Sequence, residues 1–361
     1  MKKFKVLGMM SGTSLDGLDI AYCHIWKENN TWDFEIRQTR AISYHDELFG
    51  LLKNAIHLSE KEHANLHRDY GVWLGEQAKV FIEEHDFDID FIASHGHTSH
   101  HRPEEGITFQ LGHGQLLANT AQQKVICDFR TFDVANGGQG APLVPIGDSL
   151  LLPEYEFCLN LGGISNFSFE KDGSRIAYDI GLANMPLNYL TEKIDLKYDD
   201  DGKLARNGKL IPTLLKELNA LEYYKLSYPK STGYEWFTSE IIPLIESHEG
   251  TIADKLRTII HHNCEQISNA INKEQPRKNS QVLVTGGGAL NSFFIDTLQE
   301  KLGSLTKVHI PPKKFIEFKE ALVFAFMGVL KDLDEINVLS SVTGARKDSS
   351  SGVVFEPTKN H

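Results

Sequence analysis

The sequence predicts a two-domain α/β protein built of two similar halves, on three observations. Its 361 residues exceed the ~250–300 beyond which a single core tends to split. Short apolar runs alternate with stretches carrying apolar residues at helical spacing. Each half also opens on the same local pattern, a strand, a glycine turn and a returning strand: Val6 to Asp19 in the first and Phe157 to Phe169 in the second.

Composition narrows the function. Hydrophobic residues make up 41% and charged residues 24%, ordinary for a globular protein. With 37 basic against 49 acidic residues the net charge is −12, which argues against a non-specific nucleic-acid surface or an anionic-membrane anchor. Small anions remain possible, because local N–H groups and a cation hold them. No apolar run reaches the ~18 residues of a membrane span, and Met1 to Gly8 lacks the apolar core of a signal peptide. Cys23, Cys127, Cys158 and Cys264 are widely spaced and read as reduced, buried thiols of a cytoplasmic protein.

In chain order, Phe4–Met10 and Ile20–Trp26 read as paired strands. Their turn offers Gly12, Thr13, Ser14, Leu15, Asp16, Gly17, Leu18 and Asp19. Small hydroxyls and N–H groups there admit a phosphate closely. Asp16 and Asp19 are able to orient a hydrated Mg²⁺. A plain polar-tipped hairpin fits the same residues, and neither a Walker loop nor a dinucleotide fingerprint is present. A strand is expected over 32–41, and helices over 46–57 and 59–85. The second helix opens with a Ser59/Glu62 capping box and carries Leu66, Tyr70, Trp73, Leu74 and Val80 on its core stripe.

A short strand over 89–93 leads into Ser94-His95-Gly96-His97-Thr98-Ser99-His100-His101. Such a run invites a metal reading. With no carboxylate or Cys within the run, a substrate-facing loop beyond a strand's carboxyl end is the expectation. Asp128, Arg130, Asp133 and Gln139 then lie in a Gly/Pro-rich stretch, either a connection or a sugar site whose Arg holds a carboxylate in bidentate fashion.

In the second half, Asn160, Gly162 and Gly163 tip the second hairpin. Asp179 is expected at a strand's end before a helix over 184–196, as a general base or a turn residue. The acidic run at 198–202 reads as solvated surface. Gly286, Gly287, Gly288 and Asn291 follow an apolar strand; Asn291 is suited to cap the next helix. A final apolar helix over 317–329 contains one acid inside it, Glu320.

The run Met10-Ser11-Gly12-Thr13-Ser14-Leu15-Asp16-Gly17-Leu18-Asp19 resembles the opening signature of the anhydro-N-acetylmuramic acid kinases. Further matches extend along the chain: Asp128-Phe129-Arg130, Gly137 to Pro145, Asp179 to Asn184, Pro229 to Glu235, and Ser341 to Arg346. The resemblance implies a two-domain actin/hexokinase-like (duplicated RNase H-like) fold with a nucleotide and substrate cleft. The expected domains are 1–145 with 318–361, and 146–317. It further implies ATP and Mg²⁺ as cofactors, with Gly12–Asp19 and Asn160–Gly163 as phosphate motifs and Gly286–Asn291 at the adenosine. Asp179 would be the base, and His95, His97, Asp128, Arg130, Asp133, Gln139 and Glu320 would line the sugar site. The protein would be a homodimer. The implied reaction phosphorylates 1,6-anhydro-N-acetylmuramic acid while opening its anhydro ring. His97 stands where the family usually has Gln, and Ile180 and Leu182 stand for its Thr and Pro. These departures leave open a kinase of another anhydro or amino sugar. An actin-like or chaperone-like ATPase is the alternative from another class.

Overall fold

The computed structural model describes residues 2–358. It forms two units, the first holding residues up to Leu152 and from Phe318 onward, the second Pro153–Glu317. The helix Pro145–Leu151, expected with the second half, therefore belongs to the first. Its Gly147 packs on Val323, and its Asp148 pairs with Lys319 at 2.7 Å.

Among the described residues the first unit has one seven-stranded sheet. β1 (Lys3–Ser11), β2 (Leu18–Glu28) and β3 (Thr31–Ile42) form an antiparallel meander. β4 (Phe91–Arg102) runs parallel to β1, and β6 (Val125–Cys127) parallel to β4. β5 (Ile107–Leu111) folds back on β4, and β12 (Val353–Phe355) pairs with β6. β1 is buried almost throughout, as a central strand covered on both faces must be. One cover is the helix Glu60–His85. Both bonds of its Ser59/Glu62 capping box are present, and its buried stripe holds Leu66, Tyr70, Leu74, Ala78 and Phe81. Val80, expected on that stripe, is exposed. Another is the helix Lys313–Asp332, which crosses β1 at backbone contact: a Cβ on Gly8 would lie 2.0 Å from the Ala321 carbonyl oxygen.

The second unit has a five-stranded sheet of matching order. β7 (Phe157–Leu161), β8 (Ile164–Lys171) and β9 (Ser174–Leu182) form the meander. β10 (Ser280–Thr285) runs parallel to β7, and β11 (Thr306–His309) parallel to β10. Phe157, Phe167, Phe169, Ile180 and Leu182 join Ile259, Ile260 and Ile267 of the helix Ile252–Lys273 in its core. The strand order third-second-first-fourth-fifth, with the second strand antiparallel and the last two parallel to the first, thus occurs in both units. That duplication is the actin/hexokinase-like fold.

Several local expectations are corrected. The His-rich run is not a loop: β4 continues through it to Arg102, because pairing with β5 satisfies its backbone. β9 likewise passes through Asp179 and ends at Leu182, since Ile180 and Leu182 are both 2% exposed and extend the core strand. The acidic run is not all solvated. Asp199 is buried and accepts hydrogen bonds from the N–H groups of Leu204 and Ala205, starting the helix Lys203–Asn207. All four cysteines are buried and unbridged. Among the described residues, no helix is long and apolar enough to cross a membrane.

Candidate active site

In the first unit the hairpin tip between β1 and β2 leaves its donors open. Leu15 N–H bonds the Gly12 carbonyl at 3.2 Å, and among the described residues no turn or loop bond takes up the N–H groups of Gly12, Thr13 or Ser14. Thr13, Ser14 and Asp16 are exposed, while Asp19 sits half-buried in β2 opposite Met10. Leu15 adopts a left-handed φ of 60°, and Gly17 a φ of 138°. A Cβ on Gly17 would strike the Ile42 carbonyl oxygen at 2.4 Å, so this glycine is required by the chain itself.

The tip is braced from below by hydroxyls that nothing in the local sequence announces. Tyr44 hydroxyl lies 2.7 Å from Ser11 Oγ, donates to the Gly17 carbonyl at 3.0 Å, and lies 3.2 Å from Tyr70 hydroxyl. Ser11 Oγ also meets His97 Nδ1 at 3.0 Å. One phenol thus ties the strand entering the turn to the residue leaving it. His97 is buried and its imidazole is pulled down to about 4 by burial, so it is neutral at ordinary pH. It supports Ser11 beneath the turn.

The expected sugar-site residues divide. Arg130 donates from Nε to His95 Nε2 at 2.9 Å and from a terminal nitrogen to the Gly140 carbonyl at 2.5 Å. His95 is fully enclosed and held neutral by burial; its Nδ1 lies 2.9 Å from the Gly96 carbonyl. Accepting at Nε2 and donating at Nδ1, it serves as the fixed mount of Arg130 and is not itself open to a ligand. Asp133 is also withdrawn. It is 0% exposed, and its oxygens accept from Gly140 N–H at 2.8 Å and Thr343 hydroxyl at 2.8 Å, which organises the glycine-rich loop. Asp128, at φ 60°, accepts from Thr131 N–H at 3.3 Å and starts a short helix. Gln139 has an exposed side chain. Crowding by protein lifts the Glu320 carboxyl above its ordinary value, opposed by the positive Lys319 and Arg130. The charge of Arg130 reaches Glu320 through space, and His95 stands behind the Arg.

In the second unit the hairpin tip repeats the first. Gly162 and Gly163 carbonyls accept from Asn184 N–H at 3.0 Å and Ala183 N–H at 2.9 Å, while among the described residues no turn or loop bond takes up the glycines' own N–H groups. Asn184 Nδ2 adds a bond to the Leu161 carbonyl at 2.9 Å. The turn therefore rests its acceptors on the helix Asn184–Glu192 and keeps its donors free. Asn160 faces Asn166 across the hairpin. Gly286, at φ 80°, lies so close that a Cβ would sit 2.6 Å from Asn160 Oδ1. Gly288 packs on Leu161, while a Cβ on Gly287 would make only ordinary contact with Asn184 Nδ2, at 3.8 Å. Asn291 is mostly buried and its Oδ1 accepts from Phe294 N–H at 3.0 Å, so it caps the helix Ser292–Leu302.

Asp179 is half-buried on β9, the edge strand, opposite Asn166 and beside a register shift. The segment Pro229–Gly233 covers that edge. Asp179 N–H donates to the Lys230 carbonyl at 3.2 Å, its carbonyl accepts from Tyr223 hydroxyl at 2.8 Å, and its Oδ2 accepts from Thr232 N–H at 3.1 Å. Among the described residues Oδ1 has no protein donor. Burial raises this carboxyl above its ordinary value, against the Thr232 N–H and the charge of Lys230. A carboxylate fixed by one oxygen and open at the other, with raised basicity, is equipped to take a proton.

Among the described residues no three His, Cys, Asp or Glu side chains gather as a metal site. Asp16 and Asp19 fit Mg²⁺ only in its usual manner, as one or two carboxylates completing a shell of water and phosphate oxygens.

The family model for anhydro-N-acetylmuramic acid kinase matches residues 4–357. The chain belongs to the anhydro-N-acetylmuramic acid kinase family. A relative of that name from Gloeobacter violaceus is 34% identical over 94% of this chain and 95% of its own. Others are 33% identical in Actinobacillus pleuropneumoniae, over 98% of this chain and 100% of theirs, and 31% identical in Hydrogenovibrio crunogenus, over 97% and 98%. Within an anhydro-N-acetylmuramic acid kinase frame, the departures at Ile180 and Leu182 are core positions, so apolar side chains there lengthen β9.

Proposed function

We propose that the protein uses ATP to phosphorylate 1,6-anhydro-N-acetylmuramic acid at O6, opening the anhydro ring to give N-acetylmuramic acid 6-phosphate. The observation that carries the chemistry is Asp179, anchored at Oδ2, open at Oδ1 and raised in basicity. Water attacks C1 and the C1–O6 bond breaks. O6 takes the γ-phosphoryl group as ADP leaves, and Asp179 accepts the proton of the water. The open N–H groups at Gly12–Ser14 and at Gly162–Gly163 are donors for phosphate oxygens, where charge develops during transfer. Asp16 and Asp19 would hold the water shell of a Mg²⁺ accompanying ATP, which supplies charge neutralisation on the transferring group. Arg130, mounted on His95, is the candidate for the sugar's lactyl carboxylate, a planar match for a guanidinium. We assign the protein to the cytoplasm, acting as a homodimer.

The deciding experiment incubates the sugar with ATP, Mg²⁺ and the protein in ¹⁸O-water and reads the product by mass spectrometry. Phosphate on O6 with heavy oxygen on C1 is expected. Phosphate without heavy oxygen on C1, or ATP hydrolysis with unchanged sugar, overturns the proposal.

The Tyr44 brace gives a second expectation. Tyr44→Phe removes a hydroxyl bridging Ser11, Gly17 and Tyr70. Leaving such groups unpaired costs ~1–3 kcal/mol. Thermal melting should fall accordingly, and ATP affinity measured by calorimetry should weaken as the turn loosens. An unchanged melting temperature and affinity would show the brace to be idle.

A further inference from the structure

Around Asp179 the second unit gathers more than a base needs to be held in place. Lys230 Nζ donates to the Tyr223 carbonyl at 3.1 Å and stands 4.4 Å above the Tyr223 ring. The Tyr178 and Tyr224 rings lie 5.8 Å and 5.9 Å from the same ammonium. Tyr223 in turn donates its hydroxyl to the Asp179 carbonyl at 2.8 Å. The contacts close a loop: Asp179 to Tyr223, Tyr223 to Lys230, and Lys230 back to Asp179 through its carbonyl and its charge. Lys230 makes no direct ion pair with Asp179, so its stem is held by the aromatic rings and its charge reaches the carboxylate across a gap. An ammonium fixed this way, half-buried among rings, is screened less than a surface lysine.

We propose that Lys230 is a positioning residue for Asp179, keeping that carboxylate charged and aimed by its own charge and by its grip on Tyr223. The proposal rests on the reading of Asp179 as the base.

The groups facing the carboxylate within this unit are few. Thr232 N–H and Lys230 come from the covering segment, and Tyr223 from the turn Glu222–Lys225. Lys273, at the end of the helix Ile252–Lys273, acts on Lys230 and lowers its affinity for a proton, as burial does. Burial alone would push Asp179 toward its neutral form, which is no base. Lys230 and the Thr232 N–H are the two opposing influences, and of these only the lysine side chain is removable by substitution.

The test is the pH profile of kcat/KM, whose acid limb reports the base in the free enzyme. Lys230→Met should move that limb to higher pH, with about tenfold loss of activity at pH values below it for each unit moved, and little loss on the plateau. Lys230→Arg should return the limb to its original position. Lys230→Gln keeps a donor for the Tyr223 carbonyl without the charge, so it should shift the limb as Met does, and it serves in place of Met should that variant melt out. A uniform drop in kcat with an unmoved limb in Met or Gln, or a folded Arg variant that fails to restore it, overturns the proposal. Asp179→Asn is measured alongside. An active Asp179→Asn sinks the base itself, whereas an inactive one with unmoved Lys230 profiles removes only the role of Lys230.

Discussion

Asp179→Asn should lose turnover by ~10²–10⁴-fold, the usual cost of a missing general base, corresponding to ~3–5 kcal/mol of barrier. The substitution is nearly isosteric. An Asn oxygen still accepts from Thr232 N–H, and the backbone bonds to Lys230 and Tyr223 do not involve the side chain. ATP affinity should therefore stay near normal. Near-normal turnover in this variant would refute the role.

The same variant carries a stability expectation of opposite sign. The folded pKa of Asp179 is raised, chiefly by burial. A group raised on folding contributes stability that is fully present below its unfolded pKa and is lost as pH rises through the folded value. At neutral pH the ionised carboxylate is therefore a cost that the neutral amide does not incur. Asp179→Asn should melt at the same or higher temperature at neutral pH, and its advantage should shrink as the solution is acidified into the carboxylate range. A variant that is dead yet at least as stable marks a residue kept for chemistry. One that is dead and strongly destabilised would instead mark Asp179 as structural.

What could be read from the sequence follows from the range of the interactions involved. Both glycine hairpins, the Ser59/Glu62 box and the Asn291 cap depend on residues within a few positions of each other, and all are present. The continuation of β4 through His95–Arg102 depends on pairing with β5, a partner that follows in sequence but whose register only folding sets. Histidines on a strand read as a loop until their burial is seen. Asp133 looked like a ligand for hydroxyls, yet one of its partners is Thr343, 210 positions away. Tyr44 meets Ser11 across 33 positions, and Asp179 meets Thr232 across 53, in a string matched by resemblance but given no chemistry of its own. The residues expected at the site thus lie in short local strings, while the groups that hold them come from far along the chain.

Substituting valine at Gly12 or Gly163 should weaken ATP binding without harming the fold, whereas valine at Gly17 should harm the fold first. At Gly12 the nearest atom to an added Cβ is Ser14 Oγ, at 3.3 Å, and that hydroxyl can turn away; at Gly163 the nearest atom is Met185 Cε at 3.6 Å. Neither glycine has a left-handed φ. Among the described residues nothing near these two positions demands glycine, so valine there tests whether a ligand approaches the tips from outside. Gly17 differs, with φ 138° and the Ile42 carbonyl oxygen 2.4 Å from a would-be Cβ, so its replacement stores strain and loses the turn. Hydrogen bonds to charged groups are worth ~1.5–3 kcal/mol net, so blocking even one N–H-to-phosphate bond should raise the ATP dissociation constant by ~10–100-fold. Calorimetric titration with ATP, paired with thermal melting, separates the cases. Weakened binding with unchanged melting at positions 12 and 163 supports the two tips as phosphate sites. Unchanged ATP affinity in folded Gly12→Val and Gly163→Val proteins would leave both hairpins as plain turns, however well their donors are displayed.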